Sequence, residues 1–209
     1  MIWLIGSKGM LGSEIARQLE EADLAFVGTD RNVDITNRRE LEAFASANPG
    51  ISWVVNCAAY TAVEKGETER ELGESLNANG AGNIAAVARS IGAGMIHIST
   101  DYVFMGGCCA MLTEDSHPQP INAYGRTKLA GEEAVMASGC HYMIVRTAWL
   151  YSEWGKNFVT TMLRLISERN EVRVVNDQLG TPTYAGDLAE ALVGIISERN
   201  FREGIYHYT

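Results

Sequence analysis

Apolar residues along the chain recur in two alternating patterns. Short runs of β-forming residues at 2–5, 24–27, 51–57, 95–98, 142–145, 172–175 and 205–208 read as strands. Between them the spacing changes to that of helices. Leu11, Ile15 and Leu19 share one face, as do Leu41, Phe44 and Ala45, and then Ile84, Val87, Ala88 and Ile91. Further helices are predicted over 124–137, 158–167 and 187–197, the last with Leu188, Leu192 and Ile195 on one side. Asn37 followed by Glu40 is a capping pair for the second helix.

Strands separated by helices predict right-handed βαβ units, hence an α/β fold with a doubly wound parallel sheet of Rossmann type, as one dinucleotide-binding domain over 1–209. The segment 105–120, with Gly106-Gly107, Pro118 and Pro120, is a loop after the fourth strand and a candidate active-site rim. The chain stops at Thr209 beside a strand pattern, which predicts that further polypeptide follows in the complete protein.

Composition narrows the function classes. The 209 residues are 46% hydrophobic and 21% charged, as in soluble globular proteins. The net charge of −9 argues against nucleic acid or an anionic membrane as partner. An anionic small ligand is still compatible, because a helix N-terminus holds phosphate locally. Cys57, Cys108, Cys109 and Cys140 match no zinc or redox spacing, and no secretory or membrane-spanning segment is evident. The expectation is a cytoplasmic protein with free thiols.

The chemistry-bearing residues fall at the carboxyl ends of the predicted strands. Gly6-Ser-Lys-Gly9-Met-Leu-Gly12 lies between the first strand and first helix, where glycines permit a tight turn, close approach of a pyrophosphate, and helix-on-sheet packing. Asp30, about 20 residues on, suits the adenosine ribose hydroxyls; Arg31 beside it suits a 2′-phosphate, leaving NADH and NADPH both open. Asp34 and Ile35 are placed for the adenine, and Asn56-Cys-Ala-Ala-Tyr60-Thr61 leaves room for a flat cofactor. Tyr124 and Lys128 stand one helical turn apart, so the cation is expected to pull the phenol towards neutrality and make it a proton donor. Thr100 ends the fourth strand and can bond the reacting oxygen. Asp101 and Tyr102 follow it as polar contacts for a hydroxyl-rich ligand, and Trp149 offers a flat wall for a sugar ring.

The strings GSKGMLG, DITN, NCAAYTAVEKGE, STDYVF, NAYGRTKLAGE, RTAWLY, NFVTTML and NDQLGTPT extend over nearly the whole chain. In them the chain resembles the dTDP-4-dehydrorhamnose reductase family of extended short-chain dehydrogenases. Beside Gly6 and Arg31 from the residue reading, the resemblance implies NAD(P)H contacts from Gly9, Met10, Leu11, Asp30, Asp34, Ile35, Ala59, Tyr60 and Thr61. It implies Tyr124 as proton donor, Lys128 as its partner on the nicotinamide ribose, and Thr100 as the tuning hydroxyl. The substrate, a dTDP-deoxyhexulose, would meet Thr100, Asp101 and Trp149. The family's smaller C-terminal substrate domain is largely absent here. A homodimer is compatible, and the Mg²⁺ that some relatives hold at a dimer contact has only Glu14 in a matching place. Met105 replaces a usual aspartate, Gly66 a usual alanine, and the loop 108–112 lacks a usual Pro-Tyr pair.

The implied reaction reduces dTDP-4-dehydro-L-rhamnose to dTDP-L-rhamnose in polysaccharide biosynthesis. Rival readings are another nucleotide 4-keto-6-deoxysugar reductase or epimerase, and a non-catalytic regulatory subunit of the methionine adenosyltransferase type. A dehydratase would carry an acid pair after the threonine, whereas here Tyr102 follows Asp101.

Overall fold

A computed structural model describes residues 1–107, 111–198 and 200–209. Its centre is a six-stranded parallel sheet in the order β2-β1-β3-β4-β5-β8. The strands are β1 (Ile2–Ile5), β2 (Phe26–Thr29), β3 (Trp53–Asn56), β4 (Gly94–Thr100), β5 (Tyr142–Thr147) and β8 (Gly204–His207). A separate two-residue pair joins β6 (Leu150–Tyr151) to β7 (Thr183–Tyr184). β1 lies between β2 and β3, so the winding reverses there and opens a crevice at its carboxyl edge, as the glycine motif predicts.

Strand side chains alternate between two cores. Trp3 and Ile5 face one side with Val54, Met95 and Ile144, beneath α2 (Arg38–Ala47), α5 (Ala81–Ser90) and α6 (Ala123–Ser138). Ile2 and Leu4 face the other with Val55, Ile96, Met143 and Val145, beneath α1 (Met10–Glu21) and α8 (Ala185–Glu198). This double burial explains why the runs read as continuously apolar rather than alternating.

Several expectations shift. The apolar run 172–175 forms no strand: Val174 and Val175 are 50% and 69% exposed, with no neighbouring strand to supply a ladder. The region between β3 and α5 carries unpredicted helix at α3 (Val63–Gly66) and α4 (Arg70–Glu74), then a π-helical turn over Ser75–Gly80 that runs into α5. Asn37 does cap α2, accepting from Arg39 N at 3.2 Å. Glu40 bonds the Asn37 amide rather than its backbone, so the reciprocal half of the box is absent. The helix expected over 158–167 is α7 (Phe158–Glu168), and it starts with a full capping box from Asn157 and Thr160.

Candidate functional site

The site begins where β1 turns into α1. Gly6 has φ +77°, and a Cβ there would stand 2.7 Å from Ala58 N. A Cβ on Gly12 would stand 2.1 Å from the Gly6 carbonyl oxygen, so neither position admits a side chain without backbone movement. Gly6 N and Ser7 N both donate to Thr29 O, tying the turn to β2. Gly9 caps α1 without any side-chain hydrogen bond, leaving the positive end of a 12-residue helix open for an anion. Asp30 accepts from Lys8 N at 3.3 Å and Arg31 N at 2.9 Å, which holds the end of β2 beside the turn.

A crevice of about 800 Å³ runs along this edge. Gly6, Gly9, Asp30, Arg31, Asp34 and Ile35 line it on the β1–β2 side; Ala59, Tyr60 and Thr61 line it on the β3 side. Nine expected residues therefore meet around one cavity. Lys8, Cys57, Ala58 and Ala62, which lie within the marked strings, also line it, as do Ile5, Val33 and Leu76, which no motif singled out. Met10 and Leu11 do not line it. Leu11 is 5% exposed and belongs to the core, so only its backbone at the helix start is near the turn. Ile35 is likewise mostly in the core, against Gly80, and presents only an edge. Asp34 already accepts from Thr36 N and Thr36 Oγ1 through one oxygen. The uncapped helix end and the glycine turn suit a dinucleotide pyrophosphate.

Thr100, Tyr124 and Lys128 do not line this crevice but adjoin it. Lys128 and the crevice residue Cys57 perturb one another electrostatically. Asn77, buried in the π-helical turn, makes a second link. Its amide nitrogen donates to Tyr60 O and to Thr127 Oγ1, and its oxygen accepts from Tyr60 N. Thr127 lies between Tyr124 and Lys128 on α6, so one asparagine ties the crevice wall to that helix. Nothing in the hydrophobic pattern marks it, since a π turn differs from α-helix by a single residue of register.

Lys128 is 2% exposed and donates from Nζ to Ile98 O at 2.6 Å. Burial pushes its ammonium down to about 8, opposed by the Glu132 and Cys57 charges. Tyr124 is pushed up to about 12 by burial, against the pull of a Thr100 hydrogen bond, with Asp101 and Tyr102 adding to the rise. The expected lowering by Lys128 is thus absent: the ammonium is bonded to a carbonyl, and desolvation dominates the phenol. Asp101 is raised by burial and accepts from Thr100 Oγ1 at 3.0 Å. The Tyr102 ring stands edge-on to Tyr124 at 5.6 Å. Trp149, at φ +44° and 42% exposed, lies over Gly180, where a Cβ would touch its indole at 2.5 Å. A bulky residue in left-handed backbone marks a position worth testing for function.

Cys108 and Cys109 lie outside the described residues. Among the described residues, no group of three His, Cys, Asp or Glu is placed for a metal ion, and no helix is long and apolar enough to cross a membrane. Glu14 is buried with one oxygen on Arg17 and the other without a partner among the described residues.

The chain is 43% identical over 99% of its length to a dTDP-4-dehydrorhamnose reductase of Mycolicibacterium smegmatis, of which it spans 63%. It is 40% identical over 99% of its length to a dTDP-4-keto-6-deoxy-D-glucose reductase of Streptomyces niveus, spanning 72% of that protein. The crystal structure of a Bacillus anthracis dTDP-4-dehydrorhamnose reductase in complex with NADP superposes with a TM-score of 0.95 at 39% identity, covering all of this chain and 73% of that one. The profile of the RmlD substrate binding domain matches residues 1–209, and the chain belongs to that family.

Proposed function

We propose that residues 1–209 form the NAD(P)-binding domain of a reductase that converts dTDP-4-dehydro-L-rhamnose to dTDP-L-rhamnose. The observation that carries this reading is the side-by-side placement of an uncapped glycine turn at a dinucleotide-sized crevice and a Thr100–Tyr124–Lys128 group in which Thr100 and Lys128 are buried. The relatives' names support the substrate class. The open end of α1 would hold the pyrophosphate, Asp30 and Arg31 the adenosine ribose, and Ala59 to Thr61 the nicotinamide half. NAD(P)H bound there supplies a hydride to the substrate's C4.

Tyr124 gives its proton to the C4 oxygen as that oxygen gains charge, so a 4-ketone becomes a 4-alcohol. A phenol pushed up to about 12 stays protonated in the resting site, as a donor must. Thr100 bonds the same oxygen and orients it. Lys128, cationic below about pH 8, stabilises the phenolate left behind. Asp101 and Tyr102 bind sugar hydroxyls, and Trp149 walls the ring. We place the protein in the cytoplasm, where nucleotide sugars are made.

A second reading, reduction of dTDP-4-keto-6-deoxy-D-glucose, is favoured by the equally similar Streptomyces relative. The test is an absorbance assay with the whole protein, NADPH or NADH, and each keto-sugar in turn. Oxidation of cofactor with dTDP-4-dehydro-L-rhamnose is expected. Turnover of only the glucose-derived ketone favours the second reading, and turnover of neither overturns the reductase assignment.

A further inference from the structure

Behind Lys128 lies a buried ionic cluster that none of the roles above uses. Glu132, one turn along α6 and on the same face, is fully buried. Its Oε1 accepts from Ser99 Oγ and from Arg146 Nε at 2.9 Å, and its Oε2 accepts from Arg146 Nη2 at 2.6 Å. Ser99 on β4 and Arg146 on β5 are register partners, so the carboxylate grips two adjacent strands at once. Ser99 precedes Thr100, and Ile98, whose carbonyl takes the Lys128 ammonium, precedes Ser99. Beside the Thr100–Tyr124 hydrogen bond, Lys128 and Glu132 thus tie the end of β4 to the body of α6.

We propose that Glu132 is a positioning residue for Lys128: pinned by Arg146 and Ser99, it sets the seat of α6 on β4 and supplies a buried counter-charge to the ammonium. A plain scaffold would not need an ion pair, because replacing one by apolar residues is often neutral or stabilising, while breaking it is costly. The titratable groups facing Lys128 or this cluster are Cys57 just past the end of β3, His97 from β4, Arg146 from β5, and Glu132 from α6 itself, with Tyr124 one turn before Lys128. His97 is held neutral by burial and Cys57 protonated, so Glu132 is the anion among them. Arg146 is further engaged, over the Phe104 ring at 5.0 Å.

The role rests on the reductase reading for its catalytic meaning but not for its test. The Lys128 Nζ and Cε resonances are followed by NMR against pH, assigned by their loss in Lys128→Met. Glu132→Gln is expected to lower the titration midpoint by about one unit or more, since it removes the opposite charge and keeps the shape. Ser99→Ala removes one hydrogen bond and no charge, and is expected to leave the midpoint within about half a unit. If Glu132→Gln does not fold, the double variant Glu132→Met with Arg146→Met removes both charges together, and a downward shift smaller than that of the single variant is expected, because the Arg146 cation leaves with the carboxylate. An unmoved midpoint in the folded variant overturns the proposal. With an active enzyme, the alkaline limb of kcat/KM is expected to move down in step; a wild-type protein without turnover would sink the reductase reading while the titration still decides the role of Glu132.

Discussion

Two regions meet at the carboxyl edge of the sheet, and they are built in opposite ways. The floor of the crevice at β1 and β3 is laid by backbone and small residues, Gly6, Gly9, Ala58 and Ala59, with side chains excluded by contacts below 3 Å at Gly6 and Gly12. The junction of β4 with α6 is made of buried functional side chains, namely Thr100, Lys128, Glu132 and Arg146, each 5% exposed or less. The first region binds by what it leaves out, the second acts through charges it has desolvated. Steric substitutions should therefore damage the crevice, and isosteric chemical ones the junction.

The largest expected effect is chemical. Tyr124→Phe keeps the ring that packs edge-on to Tyr102 and removes only the proton to be transferred. Turnover should fall by roughly 10²–10⁴-fold, the usual worth of general acid catalysis, with cofactor affinity nearly unchanged. Near-normal turnover would show that the proton comes from elsewhere.

The next effect is steric. Gly12→Ala places a methyl 2.1 Å from the Gly6 carbonyl oxygen, so the turn must shift. Overpacking of this kind costs about 1–3 kcal/mol, and the moved turn should also weaken NADPH binding, read by urea unfolding and by fluorescence titration. Gly194→Ala on α8, which has open space around it, is the control and should stabilise by about 0.5–1 kcal/mol. If both alanines behave alike, the close approach in the turn is not what matters there.

The same contrast explains what could be read from sequence. β1 is found over its predicted residues because an apolar run fixes a doubly buried strand, and the glycine spacing places the turn because only glycine tolerates those contacts. Nine expected cofactor residues share the crevice for the same local reason. The electrostatics of the junction were not legible. The i, i+4 spacing does put Tyr124 and Lys128 on one face, yet whether the phenol rises or falls depends on burial and on Ile98 O, which arrives from 30 residues away. Asn77 escaped notice because its role depends on a π turn. The run at 172–175 misled because apolar composition says nothing about whether a partner strand is at hand.

The smallest expected effect isolates the buried charges of the junction through stability against pH. Lys128 has a folded value of about 8 against 10.5 in the unfolded chain. Between those values the unfolded chain holds a proton that the folded one lacks, so stability rises with pH. Cys57 works the other way. Burial pushes it from 9.0 up to about 12, so above about pH 9 the folded state keeps a proton the unfolded chain loses, and stability falls. Tyr124, pushed from 10.0 up to about 12, adds a second fall above about pH 10. The net curve should climb by about half a kcal/mol from pH 8 to 9, flatten to pH 10 as Lys128 and Cys57 offset each other, then decline. Urea unfolding at half-unit pH steps measures it. Lys128→Met should abolish the climb and leave the decline, while Cys57→Ser should extend the climb towards pH 10. A decline already between pH 8 and 9 in the unmutated protein would mean that the Lys128 ammonium is not desolvated, and the contrast between a region of exclusion and a region of buried charge would lose its second half.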